Sequence, residues 1–406
     1  NCHSEKWIYE MRLSKYMMTR GSQMRRSRRS PEQSDKTGSR QARRRAVLSG
    51  LGTTAVAGLA GCTSVLPDGK ASGDRTVTDM AGRAVAVPDD PERILGIGAG
   101  TLRQLAYMDA TDRVVGIGSV RESMLNELPY LVANPELGDL PTFGDRGADR
   151  DGDTEQILAV EPDVIFFTGN SSRADELQRQ TNTPVVLVEI ENILTSDGRD
   201  VLFETWETIG EVLHSPTRAE KLATFLEDTV ADLERRTGDI PVGERAEGYA
   251  AAFRFRGAHG LSTTRGDTTM FHLVNVENAI EGLETDQKSI TLSHERLLEE
   301  DPERIFLDVA SVERVLEDID MNPEFEALTA VQEGEVYPVL QVYRDMRNFG
   351  PMIANAYFVG QTSYPDRFAD VDLETQIDDV FEALFGERLY GDHLHAQFPH
   401  VYRPLF

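Results

Sequence analysis

The sequence predicts an α/β protein of two lobes, each with a central, mostly parallel sheet, joined by a single long helix. Short apolar runs bounded by turn residues alternate with helical patterns, which is typical of parallel sheets. One pattern occurs twice: a glutamate, two apolar residues, a proline and an apolar strand. Between the two copies, residues 215–236 have the pattern of one uninterrupted helix.

The N-terminal part of the chain has the pattern of an export signal. Arg43, Arg44 and Arg45 precede a small, apolar stretch over residues 46–59, and Cys62 follows it. Paired arginines before such a stretch resemble a twin-arginine signal, and small residues before a cysteine resemble a lipoprotein processing site. The stretch is shorter than the ~20 residues of a membrane span, although a spanning anchor or a buried helix remains an alternative. We therefore expect residues 1–62 to be a leader, with Cys62 the lipidated first mature residue, and residues 63–75 to be a flexible tether.

Charge is distributed very unevenly along the chain. Residues 1–61 contain 13 Lys and Arg against 4 Asp and Glu, whereas the remainder contains 29 against 65. Only Lys70, Lys221 and Lys288 are lysines in that remainder. An acidic surface with so little lysine indicates a protein that stays soluble in very high salt, where charge repulsion is screened within ~3 Å; an ordinary acidic protein is the alternative. No basic stripe remains, so nucleic-acid binding is not expected.

The first lobe is predicted over residues 76–200. A small hairpin opens it, with Val77, Val85 and Val87 around a turn at Gly82. In parallel sheets, ligands bind beyond the carboxyl ends of the strands. Strands are expected at residues 94–98, 113–118, 163–169 and 184–190, with a helix over 102–108. The glycines after the first of these strands lack the spacing of a dinucleotide-binding loop, so a nucleotide site is only weakly supported.

A helical linker is predicted over residues 201–240 and a second lobe, with a helical tail, over 241–406. Ser215 suits an N-cap and Pro216 the first helical position of the bridging helix, residues 215–236. An apolar stripe follows at helical spacing: Leu222, Phe225, Leu226, Val230 and Leu233. We expect this stripe to pack against both lobes; a surface helix of one larger domain is the alternative. In the second lobe, strands are expected at residues 248–255, 305–310 and 335–340, with a helix over 268–280.

The repeated segment supports two similar lobes. EQILAVEPDVIF begins at Glu155 and ERLLEEDPERIF at Glu295, and each has its proline seven positions after the glutamate. The two copies lie on either side of residues 215–236. Helix–proline–strand connections are common, so a chance match is the alternative.

Several motifs, taken in order, resemble one family of transport proteins. They are TVTDMAGRAVAVPDDPERI, the two repeated segments, FEALTAVQEGEVYPV and IANAYFVGQTSYPDRFADVD. They resemble the substrate-binding proteins of ABC importers for ferric siderophores and cobalamin, in the iron-complex branch. The resemblance implies the helical-backbone periplasmic-binding-protein fold and delivery of a ligand to a permease driven by an ATPase. It also implies that Glu155 and Glu295 dock to arginines of the permease; an exposed glutamate favoured by the helix dipole is the alternative.

A ferric chelate is oxygen-rich and usually anionic, so its site needs arginines and aromatic walls. The expected strand ends of the second lobe offer several such side chains, and those of the first lobe offer fewer. The predicted ligand-binding residues are Arg121, Phe143, Asn170, Arg254, Arg256, His259, Arg265, Tyr343, Arg344 and Arg347. The alternative for each arginine is a surface ion pair. We expect neither a cofactor nor a resident metal. The tail with His393, His395 and His400 has no clear role; we expect a docking tail, and a metal-binding cluster is the alternative.

The sequence therefore predicts a lipid-anchored, monomeric binding protein on the outer face of the cytoplasmic membrane, with an iron(III) chelate as its ligand. The partners expected are an ABC permease and its ATPase. A corrinoid ligand is the alternative within this class, and its site would favour aromatic walls over arginines. No nucleophile elbow, HExxH or P-loop is present, which disfavours an enzyme. A surface receptor that has lost transport is a third possibility.

Overall fold

The computed structural model describes residues 75–118, 122–144, 153–253, 257–266, 268–280, 282, 289–344 and 347–406. The predicted leader, including Cys62, lies outside the described residues, and so does the tether up to residue 74. The first strand begins at Arg75, the last residue of the predicted tether.

The first half of the described chain consists of short strands and helices around one parallel sheet. The strands are β1 Arg75–Thr78, β2 Ala84–Val87, β3 Ile94–Ile97, β4 Ile117–Gly118, β5 Thr142–Phe143, β6 Val164–Phe167 and β7 Val185–Leu187. The helices are α1 Thr101–Tyr107, α2 Glu122–Leu125, α3 Pro129–Val132, α4 Thr154–Ala159 and α5 Ser171–Thr181.

The sheet of this half has the parallel order β3–β6–β7, and β4 and β5 form a second parallel pair. Val114, just before β4, bridges to Ile94 of β3. All residues of β3, β6 and β7 are buried, which explains their continuous apolar sequences. Because the strands are parallel, the residues that follow β3 and β6 lie at the same edge of the sheet.

The predicted hairpin is present and is fixed to the sheet by a buried carboxylate. Asp79 is 3% exposed and accepts hydrogen bonds from the backbone N–H groups of Ala81, Arg83 and Leu187. The Arg83 guanidinium binds the same carboxylate and also Asp175 of α5. These two neighbours raise the pKa of Arg83 despite its partial burial. The motif TDMAGR thus joins the β1–β2 hairpin to β7 and α5.

Two long helices follow and lead into the second half: α6 Ser196–Leu213 and α7 Pro216–Thr237. The strands of the second half are β8 Glu247–Ala251, β9 Thr263–Thr264, β10 Glu277–Asn278, β11 Ile290–Thr291, β12 Ile305–Asp308 and β13 Val336–Val339. The helices are α8 Thr269–His272, α9 His294–Glu300, α10 Val312–Met321, α11 Thr329–Glu333, α12 Phe349–Ser363, α13 Leu373–Phe385 and α14 His395–Gln397.

The second sheet has the order β11–β9–β8–β12–β13, and β10 also pairs with β8. Its centre is parallel: Ile305 of β12 lies opposite Tyr249 of β8 and Val336 of β13. The predicted helix over 268–280 is wrong beyond its first turn, since α8 ends at His272 and β10 follows. Asn275 has a left-handed backbone with φ 51°, which no helix interior accommodates.

The repeated segment forms the same substructure in both halves. Ile157 of α4 and Leu297 of α9 are fully buried, and each helix leads through a left-handed residue, Glu161 or Asp301, into a proline and a strand. That strand is β6 in the order β3–β6–β7 and β12 in the order β8–β12–β13, so it is the middle strand each time. The sequence repeat therefore reflects a structural repeat rather than chance.

The predicted bridging helix is present as α7, shifted by one residue. Pro216 is its first residue; Ser215 is at the N-cap position, although its hydroxyl makes no capping hydrogen bond. Leu222, Leu226 and Leu233 of the predicted stripe are buried, and the remaining two stripe residues are partly buried. The expected apolar face thus packs into the core.

Arginines at both ends of α7 attach it to both halves of the chain. Arg218 donates to the carbonyl oxygens of Tyr107 in α1 and Leu384 in α13, at 2.7 and 2.9 Å. At the other end, Arg236 binds Asp370 through both carboxylate oxygens, at 2.6 and 2.9 Å. The boundaries of the two lobes stay a prediction, because α13 of the second half packs against α1 of the first.

The C-terminal tail, for which the sequence suggests no clear role, covers one edge of the second sheet. The N–H groups of Tyr402 and Leu405 donate to the carbonyls of Pro338 and Val336 in β13. The Tyr402 hydroxyl donates to Asn355 of α12 at 2.6 Å. Covering an edge strand in this way removes a surface that would otherwise pair with another chain. Among the described residues, no helix is long and apolar enough to cross a bilayer.

Acid should weaken the attachment of α7 to the second half. Arg236 holds the pKa of Asp370 at about 2, below the ~3.9 of an unfolded aspartate. A lowered pKa stabilises the fold above pH ~4, and the contribution is lost as pH falls toward ~2. Asp370→Asn should therefore lower the melting temperature at neutral pH and flatten its decline between pH ~5 and ~2. Asp366→Asn, an exposed neighbour, is the control; equal acid profiles for both variants would contradict this role.

Candidate functional site

The candidate site lies where segments that follow the carboxyl edges of the two sheets contact each other, through Arg103 and Asn348 and through Glu127 and Arg344. On the first side, Gly98 follows β3 and Thr168 follows β6. Gly98 has φ 94°, and a Cβ atom there would lie 2.4 Å from the Thr168 carbonyl oxygen, so only glycine fits. The Thr101 hydroxyl at the start of α1 donates to the Ile97 carbonyl at 2.8 Å and accepts from the Thr168 hydroxyl at 2.7 Å. This edge is therefore compact and polar.

On the second side, an arginine is stacked on an aromatic ring. The Arg265 guanidinium, which follows β9, lies 3.4 Å from the centre of the Tyr343 ring, and the residue is only 4% exposed. Phe253, just after β8, packs edge-on against Tyr343 at 6.0 Å. A guanidinium over an aromatic face is attracted by the ring quadrupole, more strongly where water is excluded. The ends of β8, β9 and β13 thus carry a fixed cation within an aromatic wall.

A buried arginine links the two sides. Arg103 of α1 is 1% exposed, and it donates to the Asn348 side-chain oxygen at 2.8 Å and to the Arg347 carbonyl at 2.7 Å. The Asn348 amide in turn donates to the carbonyls of Val342 and Arg344. The N-terminus of α12 and the chain after β13 are therefore held against the first half.

An ion pair makes a second link beside the first. Arg344, five residues after β13, binds the carboxylate of Glu127, which lies between α2 and α3. The two side chains are 11% and 16% exposed. Such burial requires a charged partner, so each side chain is held by the other.

Of the other predicted ligand-binding residues, two already have structural roles. Phe143 is 4% exposed and packs in the core of the first sheet. Asn170 is the N-cap of α5, where its side-chain oxygen accepts from the Arg173 N–H at 2.9 Å. His259 is half-buried, and its backbone N–H donates to the Ser311 hydroxyl. Arg121, Arg254 and Arg256 lie outside the described residues.

Three residues of this edge were missed by the sequence reading. Arg103 and Glu127 lie in ordinary helical and loop sequence, and only the packing of the two halves reveals them. Gln341 is the second residue after β13 and is 4% exposed. Its amide nitrogen and oxygen have no hydrogen-bond partner among the described residues. A polar residue interrupting an apolar run at a strand end was a signal that could have identified it.

Glu155 and Glu295 occupy matching positions in the repeat. Each is exposed and is the second residue of its helix, α4 or α9. Asp153 and Ser293 are the N-caps, whose side chains accept backbone hydrogen bonds. The two glutamates are thus equivalent in local structure, and both side chains are exposed.

One large concavity of the surface, of about 680 Å³, lies away from this edge and is formed mainly by α6 and α7. Another, of about 520 Å³, includes Arg245 and His272 and also Gly266 and Thr268, close in sequence to Arg265. Beside Phe253 and Tyr343, by contrast, the cavity measures only about 10 Å³. Within the described parts of the chain, no three His, Cys, Asp or Glu side chains are placed to hold a metal ion.

Comparison with known proteins places the chain in a family. Residues 99–341 match the family described as periplasmic binding protein. The chain belongs to this family. The molybdate-binding protein MolA of Haemophilus influenzae is 25% identical over 333 residues, which cover 77% of this chain and 91% of MolA.

Solved structures of periplasmic binding proteins share the fold. MolA bound to molybdate has a TM-score of 0.62 at 23% identity, covering 78% of this chain and 99% of MolA. A periplasmic solute-binding protein of Veillonella parvula has a TM-score of 0.67 at 18% identity, covering 80% and 97%. CeuE of Helicobacter pylori with Ni(II) bound has a TM-score of 0.55 at 19% identity, covering 80% and 99%. The predicted fold and transport-protein family are confirmed.

Replacing the ring beneath Arg265 should destabilise the fold. Tyr343→Leu keeps an apolar side chain but removes the quadrupole that holds the buried guanidinium. We expect the free energy of unfolding to fall by about 1–2 kcal/mol in denaturant titrations. Tyr343→Phe keeps the ring and should stay close to the wild type. Equal losses in the two variants would show that the stacking contributes nothing.

Proposed function

We propose that this periplasmic binding protein captures an anionic solute between the carboxyl edges of its two sheets and delivers it to an ABC permease. The observation that carries the proposal is the buried Arg265 stacked on Tyr343. The residue after Tyr343 is Arg344, whose guanidinium binds Glu127 of the first half. Arginine forks bind carboxylates and oxyanions through paired hydrogen bonds. The Gln341 amide, which has no hydrogen-bond partner within the described parts of the chain, adds a donor and an acceptor for the same solute.

An iron(III) chelate of the siderophore type is the first candidate for this solute. Such a chelate presents charged oxygens and apolar edges, which suit arginines beside Phe253 and Tyr343. A corrinoid is a weaker candidate, because it needs broad aromatic walls more than cations. The chelate would be cargo, so the protein needs no metal ligands of its own.

A small tetrahedral oxyanion such as molybdate is the second candidate. The links from Arg103 to Asn348 and from Arg344 to Glu127 hold the halves together across the edge, which favours a small ligand. The molybdate-binding relative MolA, which aligns over most of its length, points to the same chemistry. Molybdate and an anionic chelate would use the same arginines. The two solutes differ in size, so the space available at the site decides between them.

The proposed role is binding without catalysis, since the relatives are binding proteins associated with transport. An enzyme of two α/β lobes and a surface receptor without transport remain more remote readings. We also propose export through the twin-arginine signal, anchoring through lipidated Cys62 and a monomeric state. The family itself acts outside the cytoplasm, whereas the lipid anchor is our inference from the sequence.

We further propose that Glu155 and Glu295 dock to arginines of the permease. Their equivalent positions at the starts of α4 and α9 support this, because a protein with an internal repeat can present matched carboxylates to a two-fold partner. Both are exposed in the first turn of a capped helix, which suits an electrostatic contact of modest energy.

Ligand titrations test the proposed function. Trp206 is buried beside Tyr107, with ring centres 6.4 Å apart, and its indole N–H donates to Gln104 next to Arg103. Trp206 fluorescence in molar salt should respond to one arm of a panel: ferric hydroxamate, ferric citrate, molybdate or cobalamin. Arg265→Ala should weaken an anionic ligand by about 10-fold or more while sparing a neutral one. No response to any arm, confirmed by calorimetry, would contradict the proposed function.

Uptake assays test the docking residues separately from ligand binding. The double variant Glu155→Lys/Glu295→Lys should keep the ligand affinity of the wild type, because both side chains are exposed and neither is among the residues proposed to bind the solute. Uptake into cells or proteoliposomes should nevertheless be abolished by charge repulsion at the permease. Glu136→Lys/Glu299→Lys, at two other exposed glutamates, is the control. Normal uptake by the Glu155/Glu295 variant would refute the assignment.

A further inference from the structure

The ion pair between Glu127 and Arg344 joins the two halves at the edge where the solute is proposed to bind. Glu127 belongs to the connection between α2 and α3, and its N–H donates to the Met124 carbonyl at 3.2 Å. Arg344 belongs to the segment between β13 and α12. The contact spans 217 positions of the sequence, so it exists only because the two halves are folded together.

The burial of this pair distinguishes it from an ordinary surface salt bridge. With 16% and 11% exposure, both charges have lost most of their water. Exposed ion pairs contribute little, whereas a mostly buried charge requires a partner of opposite sign. The partner that Arg344 requires is an anionic oxygen, and a carboxylate of the protein and an oxyanion of a ligand are equivalent in this respect.

The backbone around Arg344 is fixed independently of Glu127. Asn348 donates to the Arg344 carbonyl at 2.8 Å, and Arg103 holds Asn348 from the other side at 2.8 Å. If another anion replaces the Glu127 carboxylate, the side chains of Arg344 and Glu127 must therefore move, but the backbone at Arg344 need not. The link through Arg103 remains during such an exchange.

We propose that Glu127 is a built-in counter-anion that occupies Arg344 in the empty protein and that an incoming anionic solute displaces. This inference rests on the proposed function and deepens it, because Glu127 becomes a specificity-determining residue. Neutral solutes gain nothing by displacing a carboxylate from Arg344. A solute of higher charge density than a carboxylate binds Arg344 strongly enough to replace its ion pair with Glu127. Glu127 therefore selects for such solutes.

The test compares Glu127→Gln with the wild type by calorimetry in molar salt, using molybdate, ferric citrate and a neutral ferric hydroxamate. Glutamine keeps the size of the side chain and removes its charge. If the wild type binds molybdate or ferric citrate, we expect Glu127→Gln to bind that anion about 10-fold more tightly. The affinity for the neutral ferric hydroxamate should be the same in both proteins. Glu136→Gln, at an exposed position of the same half, is the matched control. Glu127→Asp keeps the negative charge, so it should bind the anionic solute more weakly than Glu127→Gln does and about as well as the wild type.

The outcomes separate the inference from the proposed function. If the wild type binds an anion and Glu127→Gln binds it equally or more weakly, with cooperative unfolding retained, the inference is overturned and the proposed function stands. Equal gains for anionic and neutral solutes would show a merely structural effect and would also overturn it. If neither protein binds any arm of the panel, both the inference and the proposed function are refuted.

Discussion

Arg103 carries a positive charge into the interior between the two halves of the chain, and the arrangement of the candidate site depends on how that charge is bound. Its guanidinium holds Asn348 and the Arg347 carbonyl, and Asn348 holds the carbonyls that follow β13. A buried cation without such acceptors would cost several kcal/mol. The same hydrogen bonds therefore stabilise the fold and fix the strand end that presents Tyr343 and Arg344.

The core around this link is apolar and continuous between the halves. Tyr107, one turn after Arg103 in α1, is fully buried and packs against Trp206, Phe349 and Phe385 at ring separations of 6.4, 6.1 and 5.1 Å. Burial raises the pKa of Tyr107, although the nearby Arg103 opposes this. Together with the two ends of α7, this packing makes large hinge motions costly. Capture of a solute is then expected to involve side chains and loops more than rigid rotation of whole lobes.

Local sequence patterns predicted much of the fold because they are set by local physics. The hairpin around Gly82, the central strands and the helix α7 follow from turn residues, apolar runs and an apolar stripe. The repeat beginning at Glu155 and Glu295 was recognisable because each copy must make the same helix, left-handed turn and buried strand. The prediction of a helix over 268–280 was wrong because Asn275 has a left-handed backbone conformation, which the apolar residues around it do not indicate.

The candidate site was less predictable, because its partners come from distant parts of the sequence. Arg265, Tyr343 and Arg344 were identified as residues after strands, yet the stacking and the pairing with Glu127 depend on tertiary packing. Phe143 and Asn170 fitted the same rule but serve the core and a helix cap. Arg103 occurs in a helix that gives no sign of which face is buried, and an arginine is usually assigned to the surface.

A crystal structure of the protein loaded with its natural solute is the most direct test of where and what it binds. Anomalous scattering would identify iron or molybdenum and locate it without reference to the protein side chains. We expect a single anionic solute between the ends of β3, β6, β8 and β13, with Arg344 turned from Glu127 toward it. A solute bound instead in the groove between α6 and α7, with the Glu127–Arg344 pair intact, would contradict the account.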